Sequence, residues 1–430
     1  MESTDTAAAG LAPETRVIQA WLGRERGHRP LNVPLYLSSV WESRDLGEMA
    51  SLFTRDPDRG FYTRFGHPTL RVAEEKLASL EGAEDALLFA SGMAAISNAL
   101  LAVLRAGDHV VAHRAIFGQT IELLDHLARA FGVAVTFVDA TDPAAVDGAM
   151  RPETRVVYIE TPSNPIIDVQ DVSAIAEVAH RHGALLFVDS TFAGPLIQRP
   201  VELGADLSLQ SASKSLAGHA DLLAGCAAGS KALIARVREM RVLTGPTLDP
   251  HACFLLLRGM QTLSLRVRAQ CENAWSVARL LEASPVVETV RYPFLASHPG
   301  HAVARRQMSL GGSMVSFALR GGIESSRRFV KALEWIPLAS SLGHLSTTVE
   351  VPEELDFAAE ELGERTAAFQ LPSGLIRVSV GAEAEADVLR EMRRGLAAVE
   401  AHLRATGSTE PSASAESPEP AVAAPVEVAA

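Results

Sequence analysis

From about residue 69 onward, short apolar runs alternate with stretches of helical period. The runs fall at residues 86–90, 109–113, 133–138, 155–159, 185–188 and 207–209. Between them, residues 94–104, 120–131 and 172–182 repeat their apolar positions every three to four residues, the spacing of one helix face. A strand that is apolar throughout is buried on both faces, as in a parallel sheet covered by helices. Just ahead of the first run, Thr69 is expected to cap a helix whose apolar face is Leu70, Ala73, Leu77 and Leu80 and which stops at Gly82. The pattern predicts a large open α/β domain over residues 61–261, with its ligand at the carboxyl ends of the strands. Beyond residue 262 the helical periods lengthen and strands thin out, the clearest being 312–319 and 375–380. This predicts a smaller α+β domain to residue 404.

The two ends read differently. Residues 1–60 suggest an extended arm, basic and rich in Gly and Pro over 24–34, with Trp41 and Phe53 suited to packing on another subunit. Residues 405–430 are Ala, Pro, Ser, Glu and Val, with no aromatic residue, Lys or periodicity beyond the domain's end, and are expected to be disordered.

Composition narrows the function. The chain has 430 residues, 47% of them hydrophobic, and a formal charge of −13. That balance argues against nucleic acid or an anionic membrane as partner. Its three cysteines, Cys226, Cys253 and Cys271, form no CxxC pair, so reduced thiols in a cytoplasmic protein are expected and a zinc site is not. The first residues carry neither a basic nor an apolar segment of the secretory kind.

The strand ends carry the candidate chemistry. Lys214 lies among Ser211, Ser213 and Ser215 just after the sixth run. A buried lysine loses solvation and becomes a nucleophile able to form a Schiff base. Ser91-Gly92-Met93 leads from the first strand into a helix, an anion site in form. The fifth run ends in Asp189, a carboxylate that needs a partner such as a protonated ring nitrogen. Glu160-Thr161-Pro162-Ser163-Asn164-Pro165 presents an amide after the fourth run, and Arg377 sits between apolar neighbours in a late strand, suited to a carboxylate. Taken singly, each has an ordinary structural reading as a turn, cap or salt bridge. Together they make the inventory of a pyridoxal phosphate enzyme acting on an amino acid.

At this point the chain resembles the Cys/Met-metabolism (transsulfuration) family of pyridoxal phosphate enzymes. The matching motifs run in order: YTRFGHPT from Tyr62, SGM from Ser91, ETPSNP from Glu160, VDSTFAGP from Val188, SASKSLAGHAD from Ser211, LRGMQTL from Leu257, SLG from Ser341 and IRVSVGAE from Ile376. The resemblance implies the fold type I, transferase-like architecture and pyridoxal 5'-phosphate as cofactor. It implies that Lys214 is the Schiff-base lysine and later the proton shuttle, and that Asp189 pairs with the pyridine nitrogen. Gly92, Met93, Ser211 and Ser213 would hold the phosphate, joined by Tyr62 and Arg64 from a neighbouring subunit, so at least a dimer, usually a dimer of dimers, is implied. Asn164 would contact the ring oxygen, and Ser341 with Arg377 the substrate carboxylate.

The departures concern the substrate. The family stacks a tyrosine on the cofactor, where this chain has Phe117, which keeps the ring but has no hydroxyl to move a proton. Esterified homoserine, whose carboxylate leaves without needing a proton, suffers least from that loss. Ser340 stands where some relatives carry a glutamate, His344 follows SLG where the family commonly has Gly, and His67 and Ser190 each replace an asparagine. The expected activity is γ-replacement or γ-elimination on a homoserine-derived or sulfur amino acid. The alternatives are a β-lyase on cysteine- or cystathionine-like substrates and a catalytically inactive cofactor-binding protein.

Overall fold

The structure, a computed structural model, describes residues 11–19, 32–52, 62–355, 371–406 and 426–428. Phe53 and most of the basic, Pro-containing stretch of the N-terminal arm lie outside the described residues, as do 407–425 of the C-terminal stretch.

Seven consecutive strands build the larger sheet: β1 (Asp85–Phe89), β2 (His109–His113), β3 (Ala134–Val138), β4 (Thr154–Glu160), β5 (Leu185–Asp189), β6 (Leu207–Gln210) and β7 (Gly225–Gly229). Their order is β1-β7-β6-β5-β4-β2-β3, and β2 to β6 pair in parallel throughout. The exception is β7, antiparallel to both β1 and β6. It was not anticipated, because Gly225-Cys226-Ala227-Ala228-Gly229 has no β-branched or aromatic residue to mark it. The other six expected strands appear, with ends shifted by a residue or so.

Full apolarity follows from burial on both faces. Along β4, Val156 and Tyr158 face helices Gly92–Val103, Gly118–Phe131 and Lys231–Thr244, while Val157 and Ile159 face helices Pro143–Ala149 and Val172–Arg181. Alternate residues of one strand thus enter different cores, as the pleat requires. Strands β1 to β4 each lead into a helix on one of these faces, and β5 reaches β6 through the short 3-10 turn Pro200–Leu203, which leaves the strand-end turns together at one sheet edge.

A second sheet, β10-β11-β9-β8, is antiparallel and comprises β8 (Val287–Arg291), β9 (Met314–Leu319), β10 (Thr348–Glu350) and β11 (Ile376–Ser379). Helices Leu263–Glu282, Gly322–Ala332 and Glu385–Thr406 share its core, which includes Phe317 and Phe329 at 5.4 Å between ring centroids. Thr262 ends helix Pro250–Gln261 and begins helix Leu263–Glu282.

Two local expectations change. The helix begins at Pro68 and is capped by His67, whose Nδ1 accepts from the Leu70 amide at 3.1 Å. Thr69 instead ties down the preceding chain, donating to the Pro34 carbonyl and accepting from the Tyr36 amide. A proline at the first position sets the helical φ, which moves the cap two residues upstream, from Thr69 to His67. At the other end, Gly82 adopts φ 67°, the left-handed conformation expected of a stop. The C-terminal stretch, expected to be unstructured, contributes a strand, β12 (Val426–Val428), paired antiparallel with the edge strand β3.

Candidate active site

The carboxyl ends of β1, β4, β5 and β6 open towards one region, and a turn from the smaller sheet closes it. Lys214 stands at its centre. Its Nζ donates to Ser341 Oγ at 2.9 Å, across the boundary between the two sheets. Burial lowers the Lys214 pKa, and the Arg377 charge lowers it further against an opposing pull from Glu350. A larger fraction is therefore the neutral, nucleophilic amine than in water.

The segment around Lys214 is held from three sides. Ser213 is stapled to Ala224, its hydroxyl donating to the carbonyl at 3.1 Å and accepting from the amide at 2.8 Å. Arg266 reaches from helix Leu263–Glu282 to the carbonyls of Ser215, Leu216 and Gly259. Gly218 has φ 72°, and a Cβ there would come within 1.8 Å of Arg266 Nη1. Glycine is thus needed on two grounds in SASKSLAGHAD. The third restraint is the Ser341 turn: a Cβ on Gly343 would be 2.7 Å from the Ser215 amide nitrogen.

Asp189, 5% exposed at the end of β5, receives the Thr191 amide (2.9 Å) and hydroxyl (2.6 Å) on Oδ1, and Tyr158 OH lies 3.5 Å from Oδ2. Thr191 Oγ1 in turn accepts the Ser211 amide at 2.9 Å, linking Asp189 to the lysine segment. Burial pushes the Asp189 carboxyl up against the opposing hydrogen bonds from Thr191 and Tyr158, and a cationic group opposite would favour its ionised form.

Glu160 ends β4 and accepts the amides of Phe117 (2.7 Å) and Asn164 (2.8 Å), one on each oxygen. It fixes the two turns that flank the site, and burial, reinforced by Asp189, pushes its pKa well above the carboxylate range. Phe117 itself is 39% exposed, with a free ring face to offer. Asn164 Oδ1 accepts from Arg377 Nη1 at 2.6 Å, which leaves its amide NH2 to be directed elsewhere.

Ser91, Gly92 and Met93 start helix Gly92–Val103, with Ser91 Oγ accepting the Ala94 amide. The turn is packed closely: a Cβ on Gly92 would sit 3.0 Å from the Ser211 Cβ, and one on Gly225 would sit 2.0 Å from the Ser91 carbonyl oxygen. Free amides at a helix N-terminus against Ser211 form a cradle for an anion. The groups present fit pyridoxal 5'-phosphate: an amine of lowered pKa, a buried carboxylate, an exposed aromatic face and an anion cradle. Among the described residues, no cluster of His, Cys, Asp and Glu is arranged to hold a metal.

Tyr62 and Arg64 are grouped elsewhere. The Arg64 guanidinium lies 5.3 Å from the Tyr62 ring centroid and 5.4 Å from that of Phe65. With Trp41, Val40 and Met49 they line a cavity of about 530 Å3. The Arg64 carbonyl accepts from Thr247 at 3.0 Å.

Of the substitutions expected to face substrate, His67 does not. It is 1% exposed, and its Nε2 lies 3.2 Å from the Leu248 carbonyl, so both ring nitrogens serve the helix cap and its neighbour. Ser190 is also fully buried, in the β5 turn. Ser340 is exposed and His344 half-buried, its carbonyl held by Gln270 at 2.8 Å. Tyr158, Glu160, Thr191 and Glu350 were given no site role from sequence. A charged or hydroxyl group two residues apart on an otherwise apolar strand was the available signal for the first two.

A mostly parallel sheet with a desolvated lysine and an anion cradle at its strand ends defines a pyridoxal phosphate enzyme of the fold type I class. The comparisons with known proteins agree: residues 14–397 match the family model "Cys/Met metabolism PLP-dependent enzyme", and the chain belongs to that family. It is 41% identical over 367 residues to L-methionine gamma-lyase of Pseudomonas putida, covering 85% of this chain and 92% of that one. O-succinylhomoserine sulfhydrylase of Pseudomonas aeruginosa is 38% identical over 365 residues, covering 85% and 90%. The crystal structure of cystathionine gamma synthase from Xanthomonas oryzae in complex with cystathionine superposes with a TM-score of 0.86 at 36% identity, covering 91% and 99%.

Proposed function

We propose that this enzyme carries out γ-replacement or γ-elimination on a homoserine-derived or sulfur amino acid. The observation that carries the reading is the Lys214–Ser341 contact beside Arg377: an amine of lowered pKa and a guanidinium suited to a carboxylate sit at one opening. Pyridoxal 5'-phosphate bound there supplies an electron sink conjugated to the substrate's α-carbon. Lys214 would anchor the cofactor and, once displaced by the substrate's amine, would serve as the base that takes the α-proton and then a β-proton. Asp189, oriented by Thr191, keeps the ring nitrogen protonated. The amides of Gly92 and Met93 with the Ser211 hydroxyl would hold the phosphate; Ser213, whose hydroxyl donates to the Ala224 carbonyl, would have to turn from it to join them. Asn164 would donate to the ring oxygen, and Phe117 would offer its ring to the cofactor. Ser341 and Arg377 orient the substrate by its carboxylate.

Tyr62 and Arg64 serve a neighbouring subunit's phosphate, which makes the working unit at least a dimer and, by the family's habit, a dimer of dimers. Exposed Leu37, Val40, Leu46 and Met49 near Tyr62 support that reading as buried interface. Residues 61–261 form the cofactor-binding unit and 262–404 the smaller unit, because the chain leaves one sheet for the other at Thr262. No helix among the described residues is long and apolar enough to cross a membrane, and we assign a cytoplasmic place.

The test is a substrate panel: methionine, cystathionine, cysteine, and acetyl- and succinyl-homoserine, each with and without a thiol. The expected products are 2-oxobutanoate or new thioethers from the homoserine esters. Pyruvate from cysteine as the main product establishes a β-lyase instead. Lys214→Ala should lower turnover at least about 1000-fold, the scale of a missing acid-base group; full turnover in that variant overturns the mechanism.

A further inference from the structure

The guanidinium of Arg377 is already engaged. It is 5% exposed, and its terminal nitrogens donate to Asn164 Oδ1 at 2.6 Å and to the Ser341 carbonyl at 3.3 Å. A third acceptor is a carboxylate, that of Glu350, ion-paired with Nη2. The pairing is built into the smaller sheet. Glu350 ends β10 and lies opposite Arg377 of β11 in antiparallel register. Directly opposed residues put their side chains on the same face, so the two charges cannot avoid each other.

We propose that Glu350 is a resident competitor for Arg377, a positioning residue whose carboxylate sets how tightly the substrate's carboxylate is held. This rests on reading Arg377 as the carboxylate site. An incoming carboxylate must share one guanidinium with Glu350, and the two anions repel across it. Binding is therefore weaker than an unpaired arginine would give, and release of product is correspondingly easier. Without Glu350, a buried guanidinium would keep only the lesser opposing influence of Glu160 in the empty site, which is costly. The acid thus stabilises the empty enzyme and weakens the filled one.

Glu350 has a second effect, on Lys214. The charged or titratable groups facing that amine are Arg377, Glu350 and His344. Arg377 lowers the Lys214 pKa and Glu350 raises it. Removing the Glu350 charge should move the Lys214 titration downward, a change that loss of packing alone does not produce.

The experiment compares wild type with Glu350→Gln, which keeps the shape and removes the charge. Cofactor loading is read first, by absorbance. A wild type that takes up no pyridoxal phosphate sinks the functional reading above, not this inference. Loaded enzymes are then titrated with glycine and with glycinamide, which lacks the carboxylate, and the absorbance of the imine between Lys214 and the cofactor is followed against pH. The expected result is glycine binding about tenfold tighter in Glu350→Gln, the scale of one charge-assisted contact, with glycinamide unchanged and the titration of the imine nitrogen shifted down. Unchanged or weaker glycine binding overturns the proposal, as does equal tightening of glycinamide. Should Glu350→Gln not fold, Glu350→Asp lengthens the pair and must tighten glycine by about two- to threefold; no tightening there overturns it equally.

Discussion

At the scale of single residues, Phe117 and Glu81 make opposite cases. Phe117 matters through a group it lacks. Its backbone is fixed by Glu160 and the residue is partly exposed, so a hydroxyl could be added without repacking the core. Phe117→Tyr should raise thiol release from methionine by up to about 100-fold, the lower range for an added general acid. An unchanged rate, measured as 2-oxobutanoate formed, would mean that the leaving group draws its proton from elsewhere. Glu81 matters through a group that is hidden. It is fully buried at the end of helix Pro68–Glu81, accepts from Gln210, and burial pushes its carboxyl up to about 7. The folded protein therefore binds this proton more tightly than the unfolded chain. Its stabilising share is full below about pH 4.5 and is lost as pH rises through about 7. The swing is about 3 kcal/mol for a shift of that size. Unfolding midpoints of wild type should fall between pH 5 and pH 8 relative to Glu81→Gln, whose midpoint should lack that component. Parallel pH profiles for the two proteins would show that Glu81 is already ionised when folded.

At the scale of elements, close approach of backbones does what side-chain chemistry cannot. β7 passes so near the Ser91-Gly92 turn that a methyl on Gly225 would meet the Ser91 carbonyl. Gly225→Ala should cost about 1–3 kcal/mol of stability through overpacking and also weaken pyridoxal phosphate binding, because the turn is pushed off its cradle. Gly229→Ala lies on the same strand, against the Asp206 carbonyl and away from the turn. It should lower the melting temperature without changing cofactor affinity; equal effects on affinity from both would refute a local role for Gly225. β7 also shows where sequence reading stopped. Parallel strands announce themselves through runs such as Val110-Val111-Ala112, which must be apolar on both faces. A strand chosen for thinness, of Gly, Ala and Cys, carries no such mark. Helix caps failed similarly at His67: a histidine caps through geometry, and its ring looks like chemistry until its neighbours are known. Asp189 and Arg377 are legible because a charge on an apolar strand stands out, and Lys214 because it lies among serines; the structure links Lys214 to Arg377 through Ser341. Glu350 and Glu81 were missed because their partners, Arg377 and Gln210, lie 27 and 129 residues away in sequence, and only the fold brings them together.

At the scale of the whole molecule, the role proposed for Tyr62 and Arg64 in a neighbouring subunit's site becomes a prediction about assembly. If each site draws Arg64 from its neighbour, Arg64→Ala and Lys214→Ala should each be nearly inactive alone. Chains of the two kinds, unfolded together and reassembled in equal amounts, form hybrids in which one site of each mixed pair is intact. With random pairing about a quarter of wild-type activity should return, as isologous symmetry requires. No recovery, with hybrids verified by mass, would place Arg64 in service of its own subunit.

The turn from Ser341 to His344 carries one more consequence. Ser341 holds φ 83°, and Gly343 presses on the lysine segment. Both positions are closed to variation by conformation and contact alone. Their neighbours differ: Ser340 is exposed, and His344 is half-buried, its carbonyl held by Gln270 and its ring meeting the Ser346 backbone. Natural drift and laboratory libraries alike are therefore steered to 340 and 344. A combinatorial library there samples new substrates on an intact scaffold, while randomising 341 or 343 mostly yields unfolded chains.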